Sequence, residues 1–132
     1  MKTKIVENNS ATTLLPDQQW PAHLDALVAA PRHHKLLYEN DSVRVLEVRI
    51  PRGESVPLHT HRWPAVLQLQ RWSEHVRRNE AGKIVFDSRE AEPAKKMPAV
   101  VWSEPLAPHS VENVGGAELL VLSVELKDTD SL

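Results

Sequence analysis

Short runs of β-branched and leucine residues, each closed by a turn signal within a few positions, dominate the chain from Lys35 onward. "KLLYEN" and "VRVLEVRI" flank Asp41 and Ser42, which reads as strand, turn, strand. Pro51 and Gly53 mark the next turn, before "SVPLHTH" and "AVLQLQRW". "EHVRRN", the turn "EAGK" and "IVFD" form a hairpin signature in which Gly82 is free to take a positive φ. "AVVWS", "HSVENV" and "AELLVLSVELK" complete the series, with Gly115 and Gly116 read as a tight hairpin turn between the last two. A succession of this kind predicts an all-β sandwich or barrel. In the last segment Leu120, Leu122, Val124 and Leu126 share one face by strand alternation, and Leu120 to Leu126 are expected in the core.

At 132 residues the chain suits one domain around a single core. Residues 1–16 lack sustained periodicity and are expected to be a flexible N-terminal tail. Residues 17–31 carry the one helical pattern, "DQQWPAHLDALVAA", in which Leu24, Leu27 and Val28 recur at spacings of three and four and Pro31 ends the run. Residues 32–127 then form the β domain, with 88–98 as a charged, proline-containing surface loop. Pro57, Pro64, Pro105 and Pro108 stand beside histidines, where rigid loops would hold those side chains at low entropic cost.

Composition excludes several classes of function. The formal net charge is only -2 with acids and bases interspersed, so no nucleic-acid partner is expected. No apolar run approaches the roughly 20 residues that span a bilayer, and "MKTKIVENNS" lacks the apolar stretch of a signal peptide. No membrane partner is expected, and the chain reads as cytoplasmic. With no cysteine, disulfides, thiolate nucleophiles and thiolate-held metals are absent, and any metal must rest on nitrogen and oxygen donors.

Histidine is therefore the residue to follow. In an extended segment His59 and His61 point to the same face and can converge on one atom, although H-x-H alone is a weak signal. Gly53 stands six residues before His59, His109 lies fifty residues beyond it, and Asn113 follows His109 after three residues. At this point the sequence resembles the cupin family. The first cupin motif has a glycine, five residues, H-x-H, three or four residues, a glutamate and, six residues later, a second glycine; Gly53, His59 and His61 match it. The second has a histidine, three residues and an asparagine, matched by His109 and Asn113. Three departures stand out. Val66, or Ala65 by the shorter spacing, occupies the glutamate position; Ser73 replaces the second glycine; and "EPLAPH" lacks the glycine turn of the second motif.

The resemblance implies a double-stranded β-helix, or jelly roll, with a short N-terminal helix and one divalent metal ion held by His59, His61 and His109. Iron, zinc, nickel, manganese and copper are not distinguished by imidazole ligands, and iron is favoured if the protein is an oxygenase. Without a ligating carboxylate the ion would keep its full charge and favour anionic or oxygen-chelating small molecules. The resemblance extends to three-histidine dioxygenases that lack the motif glutamate, which makes a metal-dependent oxidoreductase the first functional expectation. A non-catalytic binding or sensing barrel is the second, and a metal-independent barrel the third. If Val66 faces inward, Gln68 and Gln70 alternate with it into the pocket and would orient a bound ligand; a bulge or register change would instead turn both to solvent. Trp63 and Trp102 are expected to line the same small-molecule pocket. Asn113 is expected to bond backbone in a neighbouring turn. His33 and His34 are adjacent, so in a strand they face opposite ways. His75 could face the cavity, though a surface position is commoner, and exposed apolar positions in "HHKLLYEN" offer an edge for a homodimer.

Overall fold

Those apolar runs become nine strands in a computed structural model that describes residues 20–91 and 99–127. They are β1 (His34–Glu39), β2 (Val43–Ile50), β3 (Ser55–His61), β4 (Ala65–Arg71), β5 (His75–Asn79), β6 (Ile84–Asp87), β7 (Val100–Ser103), β8 (Leu106–Asn113) and β9 (Leu119–Leu126). They build two antiparallel sheets, one in the order β1-β2-β9-β4-β7 and one in the order β3-β8-β5-β6. The sheets share an interior in which Ile50, Leu119 and Val121 of the first meet Val56 and Val111 of the second. The expected tail at 1–16 lies outside the described residues, as do 92–98 of the surface loop. Among the described residues no helix is long and apolar enough to cross a membrane.

The turns follow their side chains. Asn40 Oδ1 accepts from the N–H groups of Ser42 and Val43 and closes β1 onto β2. Gly53 and Gly82 take φ of 80° and 83°, in the left-handed region that β-carbons disfavour. Asn113 fulfils its expected structural role. Its amide donates to the Ile50 and Ala117 carbonyls, and its oxygen accepts from Ser73 Oγ and Gly115 N–H.

Four sequence expectations need correction. Gly115 and Gly116 do not form a hairpin, because β8 and β9 belong to different sheets and the segment crosses between them. Gly115 is required for a different reason: a Cβ there would overlap Ser73 Oγ and the Glu74 nitrogen. The helical segment is two short turns, a 3-10 turn at Ala22–Leu24 and α1 at Ala26–Ala29. Asp25 lies between them in extended backbone, caps the Leu27 N–H and bridges to Thr60 of β3. Ala26 and Ala30 are buried and Leu24 and Leu27 half-buried, whereas Val28 is 62% exposed, so the expected apolar stripe is only partly covered. In β9 the inward face is Leu119, Val121, Ser123 and Glu125, opposite to the face expected from leucine content. Finally, Pro57 and Pro108 lie within β3 and β8 rather than in loops. The β3–β8 register shifts on both sides of His59, where a proline's missing N–H interrupts no ladder bond.

Candidate metal centre

Those register shifts aim the histidines. Val56 pairs with Val111, His59 with His109 and His61 with Leu106, so the irregularities bring Val56, His59 and His61 of one strand and His109 of the next to the cavity wall. The cavity between the sheets has a volume of about 120 Å³. Its apolar wall includes Val48, Ile50, Val56, Leu67, Leu119 and Val121.

The three histidines singled out in the sequence come together there. The His59 ring centroid is 4.3 Å from that of His109 and 5.0 Å from that of His61, and those of His61 and His109 are 5.8 Å apart. The structure adds His34, whose ring is 4.8 Å from His59 and 5.2 Å from His61. Donor atoms from His34, His59 and His61, one from each, lie within 4.8 Å of one another, a set that could hold a metal ion. The signal in the sequence was the adjacent pair His33 and His34 at a strand start. One of the two had to face inward, and His33 instead reaches Glu54 through Nε2 at 2.9 Å.

Each of the four rings is oriented through Nδ1. His34 donates to the Ala30 carbonyl at 2.9 Å, His59 to Pro57 at 2.7 Å and His109 to Ala107 at 2.7 Å. His61 donates to Glu125 Oε2 at 2.9 Å. A carbonyl can only accept, so in His34, His59 and His109 Nδ1 carries the proton and the neutral ring keeps its lone pair at Nε2. No described residue is hydrogen-bonded to any of these Nε2 atoms. Burial, reinforced by the neighbouring imidazoles, pushes His34 and His59 down to about 3 and about 2. Burial also pushes His109 down to about 3, against the pull of its bond to Ala107. Neutral imidazoles with Nδ1 held by a carbonyl or carboxylate are the form in which histidine binds a metal. The donor set therefore fits a divalent ion.

The motif's carboxylate is not at position 65 or 66, but a carboxylate is close. Ala65 faces inward on β4 and lines the cavity, whereas Val66 alternates outward. Across the β4–β9 ladder Ala65 pairs with Glu125, whose side chain is fully buried. Burial raises the Glu125 carboxyl, but hydrogen bonds and charge from His61 and Arg44 outweigh it and hold the group below its ordinary range. Arg44 donates from Nε to Glu125 Oε1 and through its two terminal nitrogens to both oxygens of Asp25, at 2.9 and 3.0 Å. Asp25, Arg44, Glu125 and His61 thus form one chain of bonds, in which two carboxylates share one guanidinium. The N-terminal turns are part of this construction, since they supply Asp25 and the Ala30 carbonyl.

The pocket candidates divide. Trp63 lines the cavity, with the Arg44 and Arg62 guanidinium carbons 4.9 and 4.3 Å from its ring centroid. Trp102 does not: it is 47% exposed and its indole N–H donates to Glu104. Gln68 and Gln70 are exposed on the outer face of β4 and bond each other at 3.5 Å. The expectation that they enter the pocket is corrected by the register, which turns Ala65 and Leu67 inward instead. His75 and Arg77 of β5 do line the cavity.

A two-sheet β-barrel with an inward histidine cluster is the architecture of the cupins, and solved structures agree. The chain is similar to a cupin domain from Bordetella pertussis Tohama I, with TM-score 0.54 and 18% identity over 71% of this chain and 91% of that one. It is also similar to an uncharacterised double-stranded β-helix protein from Klebsiella pneumoniae, with TM-score 0.50 and 13% identity over 74% and 77% of the two chains. No family model and no curated protein matches the sequence. The fold is the cupin double-stranded β-helix.

Proposed function

We propose that this chain is a metal-dependent small-molecule enzyme of the three-histidine oxygenase type, acting on a substrate with an oxygen-chelating or anionic group. The observation that carries the reading is the cluster of four imidazoles, each with Nδ1 committed and Nε2 open, at one cavity. His59 and His61 belong both to the motif's triad and to the set with His34, and His109 and His34 compete for the third place. A bound divalent ion would supply Lewis acidity and, if it is iron or copper, redox chemistry toward dioxygen. The protein does the rest: Glu125 fixes the His61 ring and offsets positive charge, three carbonyls fix the other rings, and the apolar wall restricts water. Exposed Leu36, Leu37 and Tyr38 on edge strand β1 support a homodimer.

Elemental analysis of untagged protein tests the reading. About one divalent ion per chain is expected, lost in His59→Ala and in His61→Ala, while His34→Ala and His109→Ala identify the third ligand. Glu125→Gln should keep the stoichiometry and weaken affinity about 10–100-fold. Folded wild type that takes up no iron, zinc, nickel, manganese or copper when offered each would end the proposal. Oxygen consumption by the iron form with diketones, thiols and catechols then separates enzyme from binder. An ion held without turnover would favour a binding or sensing protein.

A further inference from the structure

The arginines of this chain mostly sit on acids. Arg32, Arg44, Arg49, Arg71, Arg78 and Arg89 each have a carboxylate oxygen within 3.5 Å. Arg52, Arg62 and Arg77 have no such partner among the described residues, and of these three only Arg77 lines the cavity, where its guanidinium makes no hydrogen bond or ion pair with any described residue. Its contact is with the Phe86 ring, 5.5 Å from the guanidinium carbon, which supplies no acceptor for the N–H groups. Burial alone pulls its pKa down, whereas carboxylates hold those of Arg44, Arg49 and Arg89 up. A guanidinium drawn partly out of water is stabilised when a planar oxyanion takes its forked donors.

Its place in the sheet sets the distance to the histidines. Across the β5–β8 ladder Arg77 faces Val111 and Asn79 faces His109, so Arg77 and His109 are diagonal neighbours. Such positions are separated by about 7 Å, and the wall beyond them is apolar. The cavity's 120 Å³ is comparable with the roughly 150 Å³ of a site that holds benzene.

We infer that Arg77 is the anion-binding pole of the cavity, seating the carboxylate of a small, otherwise apolar ligand whose other end reaches the histidine cluster. Only the role of that other end rests on the metal-site reading. The charge that selects the ligand then comes from β5, separately from any ion. Arg77 is the only arginine or lysine among the residues that line the cavity, so the protein itself seats one carboxylate there.

The test titrates isobutyrate, and its uncharged isostere isobutyramide, into protein stripped of metal by chelation. Isobutyrate should bind and shift the Arg77 Nε–H resonance, while isobutyramide should do neither. Arg77→Gln should weaken isobutyrate binding by about tenfold or more, and Arg77→Lys should restore part of the loss. Equal affinity in wild type and Arg77→Gln, equal binding of acid and amide, or no isobutyrate binding by wild type would each overturn the inference. Should the variants not fold, the wild-type resonance decides, and saturation without a shift is the negative result. Zinc titrated separately into wild type reads the metal site. Zinc uptake without isobutyrate binding sinks this inference alone; Arg77-dependent isobutyrate binding in protein that takes up none of zinc, iron, nickel, manganese and copper sinks the metal reading alone.

Discussion

Asn113 and His109 lie on the same strand, both buried, and come from the same short motif, yet their polar atoms are treated in opposite ways. Asn113 makes four hydrogen bonds, to Ile50, Ala117, Ser73 and Gly115, and has nothing left to offer a ligand. His109 makes one, to Ala107, and presents its second nitrogen to the cavity. The same division separates Arg44, bonded to two carboxylates, from Arg77, bonded to none among the described residues. Buried polar groups generally find partners, because an unmet donor or acceptor costs about 1–3 kcal/mol. A group whose partners are complete stabilises the fold, and one left open faces something the fold does not contain.

The comparison breaks first at the Asp25–Arg44 pair, where removing one partner leaves a buried cation half-compensated. Asp25→Asn is expected to cost about 3–5 kcal/mol at neutral pH. The cost should also depend on pH. Burial raises the Asp25 carboxyl, but Arg44 and the Leu27 N–H together hold it below its ordinary 3.8. A carboxyl depressed in the folded state contributes stability that is present above its unfolded value and lost as pH falls through its folded value. Urea midpoints of wild type and Asp25→Asn should therefore be far apart at pH 7 and converge below about pH 3.8. A gap that persists unchanged into that range would mean that Asp25 acts by packing and not by charge.

Asn113→Ala is the next largest effect. It leaves the Ile50 and Ala117 carbonyls without a donor, and about 3 kcal/mol of stability should go with them. Zinc affinity at a temperature where the variant remains folded should stay within about twofold of wild type, because Asn113 touches none of the four histidines. A large loss of zinc affinity from the folded variant would erase the distinction between Asn113 and His109.

Much of this was legible in the sequence, and the failures have a common cause. Turn residues and β-branched runs located the strands, since these signals act locally, and the spacing of Gly53, His59, His61, His109 and Asn113 singled out three histidines that line one cavity. The last strand departs from its pattern because leucine content does not mark its inner face. Its inner face carries Ser123 and Glu125, polar residues that a core excludes unless partners from other strands receive them. Glu125 is received by Arg44 and His61, from sequence positions too distant for any local pattern to connect. The valine at the glutamate position is a related case. One position earlier, Ala65 is the residue that faces inward, and the charge expected there comes from its ladder partner on β9.

The outer face of β4 should give the smallest effect. Gln68 and Gln70 are exposed there, and among the described residues their side chains bond only each other, at the limit of hydrogen-bond length. Replacing both by alanine is expected to change stability by less than about 0.5 kcal/mol, read from urea midpoints, and to leave zinc and isobutyrate binding unaltered. The null result has content because strand alternation ties these residues to Ala65 and Leu67. A one-residue slip of β4 would bring both amides into the cavity and expel the two apolar side chains that now line it. Loss of zinc or isobutyrate binding in the double variant would therefore argue for that slipped register, and with it against the pairing of Ala65 with Glu125 on which the carboxylate's place beside His61 depends.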